Sequence, residues 1–317
     1  MTLKQKIKSI LPDRMIYIID VLKLFPTFIL NLIEDKFKNN KKIYNSIKIL
    51  DDDNTIDLIC NKNMSISRFG DGELRWMDGQ SLNSYQEYSS EFAKDLKTAF
   101  NSKNSNLLIG IPVGLINSKG CKLYSRMHWI CVRNKSVNLI KKYIDPKRIY
   151  CNASITRPYI DYKKYKFSEE RFKKIKKIWE KRDIVIIEGA QTKLGIGNDL
   201  FDNAKSIQRI ICPAENAYSI KDDIINYIKD NVSNNKMLLG ALGPTASILA
   251  NELSYEGFQF IDIGHIDIEY MWFLKKCIIR KNIEGKYVNE IGMRHASNKY
   301  DNDIEYLNSI MIDLRKK

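Results

Sequence analysis

Seven short runs of mostly aliphatic and β-branched residues recur along this chain, and the stretches between several of them have helical spacing. The runs fall at 65–69, 107–111, 148–151, 183–187, 209–212, 237–241 and 258–263. Some are unbroken, such as Ile184-Val185-Ile186-Ile187. A strand of that kind has no face to give to water, so both faces must be covered. Helical patterns occupy 163–182, 220–231 and 245–254. Such alternation predicts an α/β chain with a Rossmann-like, mostly parallel sheet and flanking helices. In a sheet of this type ligands bind beyond the carboxyl ends of the strands, so the loops after the runs are where chemistry is expected.

The chain is expected to divide into an N-terminal helical, amphipathic segment (1–50), the α/β domain (51–295) and one amphipathic C-terminal helix (296–317). The apolar stretch 15–33 is interrupted by Asp20, Lys23 and Pro26, which argues against a bilayer span and against a signal peptide. With lysines at 4–8 and 36–42 it reads either as a helix lying on a membrane or as a helix packed on the domain. Six scattered cysteines, none at Cys-x-x-Cys spacing, give no zinc or disulfide framework and point to a reducing cytoplasm. The net charge is +14, and residues 163–182 carry ten Lys and Arg against three Glu. There Ser168 reads as a helix N-cap, with Phe172, Ile175 and Trp179 on one face and the lysines solvated on the other.

Four loops carry polar chemistry. After the first run, Arg68-Phe69-Gly70-Asp71-Gly72-Glu73 sets two carboxylates two residues apart, on one side if the loop is extended. Hard oxygens in that arrangement suit Mg²⁺ or Mn²⁺ held jointly with phosphates, and Arg68 is a candidate bidentate phosphate ligand. The alternative is a plain turn with a helix-starting Glu73. The loop from Glu188 to Phe201, with Thr192, Gly195 and Asn198, is glycine-rich and is expected to open a helix near Asn198 that favours a diphosphate. It matches neither the dinucleotide fingerprint nor a P-loop. Gly243-Pro244-Thr245 reads as strand, turn and helix start, with Thr245 a cap or a ligand contact. Last, His265, Asp267 and Glu269 share a face if extended, and His265 and Glu269 meet if helical. They are the candidate general base, metal ligand or sugar-hydroxyl binders. His128 and His295 stand in ordinary contexts, so no zinc site is expected.

In this order and at these spacings the segments resemble the bacterial glycosyltransferase family with the GT-D fold, earlier catalogued as a domain of unknown function. The resemblance runs from about Asn63 to Glu290 and includes Leu242-Gly243-Pro244-Thr245 and Asp262 to Tyr270 followed by Trp272-Phe273. It implies a Rossmann-like transferase that uses a nucleotide-diphosphate sugar, usually a UDP-hexose. It also implies a divalent metal, Mn²⁺ or Mg²⁺, held by Asp71 and Glu73. The implied acceptor is a glycan, lipid-linked or protein-linked, in bacterial surface polysaccharide or glycoprotein biosynthesis. Met271 departs from the pattern, which leads one to expect an acidic residue there. The expected location is the cytoplasm, with a peripheral contact on the inner face of the cell membrane. Competing readings are another cell-envelope glycan transferase (pyruvyl or phosphoryl), a non-catalytic scaffold and a basic binding protein. Nucleic acid is not an expected partner, because the lysines are not interleaved with base-stacking aromatics.

Overall fold

The computed structural model describes residues 11–38, 41–82, 85–292 and 295–316. Chain order begins α1 (Asp13–Lys38), α2 (Lys41–Ser46), β1 (Lys48–Ile49), α3 (Asp52–Lys62), β2 (Ser65–Arg68), α4 (Asp71–Met77), α5 (Ser90–Phe100) and β3 (Leu107–Ile111). Then come α6 (Leu123–Lys135), α7 (Val137–Tyr143), β4 (Ile149–Asn152), α8 (Tyr165–Lys176), β5 (Asp183–Gly189) and β6 (Ser206–Cys212). The remainder is α9 (Lys221–Asn231), β7 (Met237–Ala241), α10 (Pro244–Tyr255), β8 (Gln259–Asp262), α11 (Ile266–Leu274), α12 (Ile304–Ser309) and β9 (Ile310–Asp313).

The nine strands form one sheet in the order β1-β4-β3-β2-β8-β7-β5-β6-β9. Every pairing is parallel. The seven expected strands are all present, with ends shifted by up to three residues. β5 shows why the unbroken apolar run has to sit centrally. Val185 and Ile187 enter one core with Leu238, Phe260 and the α10 residues Leu249 and Leu253. Ile184 and Ile186 enter the other with Leu239, Phe172 and Trp179. Each such side chain contributes about 1.5–3 kcal/mol by leaving water. From β2 the chain winds outward to β3 and β4, and its later half returns inward through β7 to β8. The winding direction therefore reverses between β2 and β8, and a crevice opens beyond their carboxyl ends.

Four expectations are corrected. The 163–182 helix spans Tyr165–Lys176, and Ser168 lies inside it, donating to Pro158 O at 2.6 Å instead of capping. No helix begins near Asn198, where the connection from β5 to β6 is a series of turns. A buried Glu188–Arg209 pair explains this: Glu188 accepts the Leu194 N–H at 2.7 Å and Arg209 donates to Leu194 O at 2.8 Å. The loop is thereby pinned to both strands, with Leu194, Leu200 and Phe201 turned into the core. The C-terminal segment is not one helix, because the short α12 gives way to β9, which pairs with β6. Its side chains alternate too little to declare a strand, and only the neighbouring edge makes one. Finally, α1 continues through Pro26, and by length and composition Asp13–Glu34 is long and apolar enough to cross a membrane. The lysines at 4–8 lie outside the described residues.

The turn reading of the β5–β6 loop separates cleanly from the helix reading. Gly195 and Gly197 have φ of +76° and +77°, and a Cβ on Gly197 would meet the Tyr300 hydroxyl. Gly197→Ala should therefore cost about 1–3 kcal/mol in urea denaturation. A helix start at this place would leave stability unchanged or raised.

Candidate functional site

The crevice at the reversal is a cleft of about 580 Å³. Its floor is the end of β2 and β8. Arg68, last residue of β2, donates from Nε to Asp262 O at 2.8 Å and from Nη2 to Asp262 Oδ1 at 2.6 Å. Its Nη1 reaches Ala153 O at 3.1 Å and Thr156 Oγ1 at 2.7 Å. Four of its five N–H bonds thus hold protein, so the fork expected to grip phosphate instead holds Asp262 of β8, through its main-chain carbonyl and one carboxyl oxygen. Burial pushes the Asp262 carboxyl above the usual range and Arg68 draws it back. Gly264, at φ +45°, follows because any Cβ there would collide with the Arg68 guanidinium.

Asp71 and Glu73 stand in the first turn of α4, not in an extended loop. Both still line the cleft, because the helix begins at its wall. Glu73 Oε2 accepts the Gly70 N–H at 2.7 Å, and burial raises its pKa. Asp71 has no hydrogen-bond or ion-pair partner among the described residues. Gly70, Gly72, Thr192 and Gly243 also line the cleft. The Tyr85 ring lies against Gly243, 2.5 Å from where a Cβ would stand.

His265 precedes α11 and faces the cleft, its Nδ1 3.0 Å from Arg157 Nη2. Burial holds its pKa down to about 4, so the ring is neutral at pH 7. Because Arg157 occupies Nδ1, the proton sits on Nε2, which makes the imidazole a donor and a poor base. Asp267 reaches the cleft edge, but both its oxygens are engaged. Oδ2 is paired with the buried Lys286 ammonium. Oδ1 accepts from Gly195 N at 3.0 Å and Asn198 Nδ2 at 2.8 Å. Glu269 points away from the cleft and accepts the Tyr159 and Ile160 N–H groups at 3.1 and 2.9 Å. Gly195, Asn198, Pro244 and Thr245 do not line the cleft. The first two hold Asp267, Pro244 starts α10, and buried Thr245 bonds Gln86 at 3.3 Å. The base-like trio is therefore one donor and two structural carboxyls, since α11 is a helix packed into the core.

Several residues that complete the cleft were not expected. Arg157 is paired with Glu290 at 3.1 Å, and Arg280 with Asp161 at 2.8 Å, which also accepts from Ser125 at 2.7 Å. Burial raises the Glu290 pKa, but His265 and Arg157 bring it below the usual value. α6 supplies Tyr124, Ser125, His128 and Trp129, so His128 does not stand in an ordinary context. The loop after the 148–151 run also follows a strand end, and it carries Arg157. Arg280 and Glu290 follow the last strand–helix unit in irregular chain, where periodicity says nothing.

The buried Glu269 predicts a pH effect. Burial first, then Asp161, raises its pKa from 4.5 to about 7, while the unfolded chain has the ordinary value. The native state therefore holds the proton longer, and its contribution is full below pH 4.5 and lost as the pH rises through about 7. Stability of wild type minus that of Glu269→Gln should fall by about 3 kcal/mol between pH 4.5 and pH 8, read by denaturant titration at each pH. A flat difference would mean that Glu269 is ordinarily ionised in the fold.

Residues 66–291 match the family described as glycosyltransferase GT-D fold. The chain is 34% identical over 263 residues to a "probable glycosyl transferase Gly" of Streptococcus gordonii, across 82% of this chain and 37% of that protein. It is 32% identical over 262 residues to "glycosyltransferase GlyD" of Streptococcus pneumoniae serotype 4, across 80% of this chain and 30% of that protein. It thus spans about a third of the length of these curated relatives. Among solved structures, one described as a glycosyltransferase (DUF1792) from Streptococcus sanguinis is 32% identical with a TM-score of 0.77. The alignment covers 84% of this chain and 99% of that one. Another, described as the domain of unknown function 1792 with a distinct glycosyltransferase fold, is 32% identical with a TM-score of 0.79, covering 87% and 99%.

Proposed function

The chain belongs to the GT-D glycosyltransferase family, and we propose that it transfers a hexose from a nucleotide-diphosphate sugar, a UDP-hexose, to a glycan acceptor with the help of a divalent metal. The observation that carries the metal and the diphosphate is the charge balance of the cleft. Six carboxyl groups line it (Asp71, Glu73, Asp161, Asp262, Asp267 and Glu290) against three guanidinium groups (Arg68, Arg157 and Arg280). Each guanidinium already has a carboxylate, and Asp267 has Lys286. Asp71 and Glu73 remain at the wall as carboxyl groups with no cation partner among the described residues. A diphosphate brought there alone would be repelled.

The side chains fit a hard divalent cation. Asp71 has both oxygens available and Glu73 has the one not bonded to Gly70, and phosphate and water oxygens would complete a set suited to Mg²⁺ or Mn²⁺. When bound, the cation supplies charge neutralisation of the leaving diphosphate. The chain's own groups do the rest. Arg157 and Arg280 line the cleft, each with donors beyond those spent on Glu290 and Asp161. Neutral His265 presents an N–H to a sugar or phosphate oxygen, and Tyr85 and Trp129 offer flat faces for a base or a sugar ring. The acceptor is a lipid-linked or protein-linked glycan of the bacterial surface.

Calorimetric titration of UDP with and without Mn²⁺ tests this reading. Wild type should bind UDP with Mn²⁺ and about 10-fold or more weakly without it, and Asp71→Asn and the Asp71→Ala, Glu73→Ala pair should lose the metal-dependent part. Wild type that ignores UDP in both buffers would remove the proposed donor.

A further inference from the structure

The long N-terminal helix α1 lies outside the family match, which begins at residue 66. It is held along its length against α6. Tyr124 N donates to the Tyr17 hydroxyl at 3.2 Å near one end, and Asn134 Nδ2 donates to Asn31 O near the other. Asp13 is paired with Lys281 at 2.7 Å, and Ile16 and Asn31 are buried at the seam. The opposite side is different. Met15, Ile18, Leu22 and Phe25 recur at helical spacing, continue to Leu32 and Ile33, and are 44–65% exposed. Exposed apolar side chains contiguous over this length mark a contact surface.

The charge of the sequence on either side of the stripe points to the occupant. Residues 1–42 carry nine Lys and Arg against four Asp and Glu, with three of the lysines in the ten residues before the helix and four in the seven residues from 36 to 42. An apolar helix face with basic flanks fits an anionic lipid surface. Although Asp13–Glu34 is long enough to cross a bilayer, the contacts at Tyr17 and Asn31 hold the helix flat against the domain. A helix tethered at both ends to a folded body lies along the interface and does not cross it.

We propose that α1 docks this protein on an anionic bilayer, lying in the plane of the interface with Met15, Ile18, Leu22 and Phe25 among the acyl chains. The docking does not rest on the glycosyl-transfer reading. It does bear on it: α6 carries α1 and also lends Tyr124, His128 and Trp129 to the cleft.

Flotation of the full chain with vesicles of 70% phosphatidylcholine and 30% phosphatidylglycerol tests the proposal without any nucleotide. Wild type should rise with these vesicles and less with pure phosphatidylcholine. The Leu22→Glu, Phe25→Glu variant should partition about 100-fold more weakly while keeping the wild-type melting temperature. Ile18→Asp, a single charge on the same stripe, should move in the same direction. Wild type that stays at the bottom overturns the proposal, as does a variant that floats like wild type. A wild-type dimer in solution that the charged variant converts to a monomer, with neither floating, would assign the stripe to a second copy of the chain and overturn it equally.

Discussion

One guanidinium group holds the centre of this molecule. Arg68 closes β2 onto β8 through Asp262 and onto the turn after β4 through Ala153 and Thr156. Ser247 of α10 completes the junction, donating to Arg68 O at 2.6 Å and lying 3.3 Å from Asp262 Oδ2. Three strand ends and a helix meet there, where parallel strands diverge and a crevice would otherwise collapse or fill with water. A charge at that depth is tolerated because its hydrogen bonds are made, and removal of either partner would strand the other. The cleft walls rise from this junction.

The contrast between the outside and the inside of the chain follows from where each charge is placed. The excess of lysine lies largely on solvated faces such as that of α8, where Lys173 and Lys174 are exposed and Phe172 and Ile175 are buried. Within the cleft, carboxyl groups outnumber guanidinium groups. A total charge of +14 therefore says little about the ligand, and the local balance says more.

The fold was legible because β5, β7 and β3 are buried on both sides and their apolar runs admit no other use. β9 was hidden because Ile310–Asp313 becomes a strand only beside β6, and the absent helix near Asn198 was hidden because the Glu188–Arg209 pair acts across strands. At the site, loop position was informative and residue type less so. Asp71, Glu73, Arg68, Thr192, Gly243 and His265 all reach the cleft. Glu269 does not, since alternate spacing cannot tell a helix that turns its carboxyls inward from a strand that presents them, and Gly195 and Asn198 do not, because their loop is turned to hold Asp267. Arg280 and Glu290 come from irregular chain folded back from elsewhere, and neighbouring residues in sequence carry no trace of that.

Gly264 bears a consequence for how such a cleft can diversify. Its backbone has a positive φ and its missing Cβ leaves the room in which Arg68 lies, so any other residue there would be strained and would displace the guanidinium. Insertions beside it would part β2 from β8. The sheet-side wall is thus closed to evolutionary tinkering. New sugar or acceptor preferences have to arise opposite, on α6 and in the 278–292 segment, where side chains meet the cleft without carrying the strands. Lineages built on this plan are expected to share a floor and differ in their far wall.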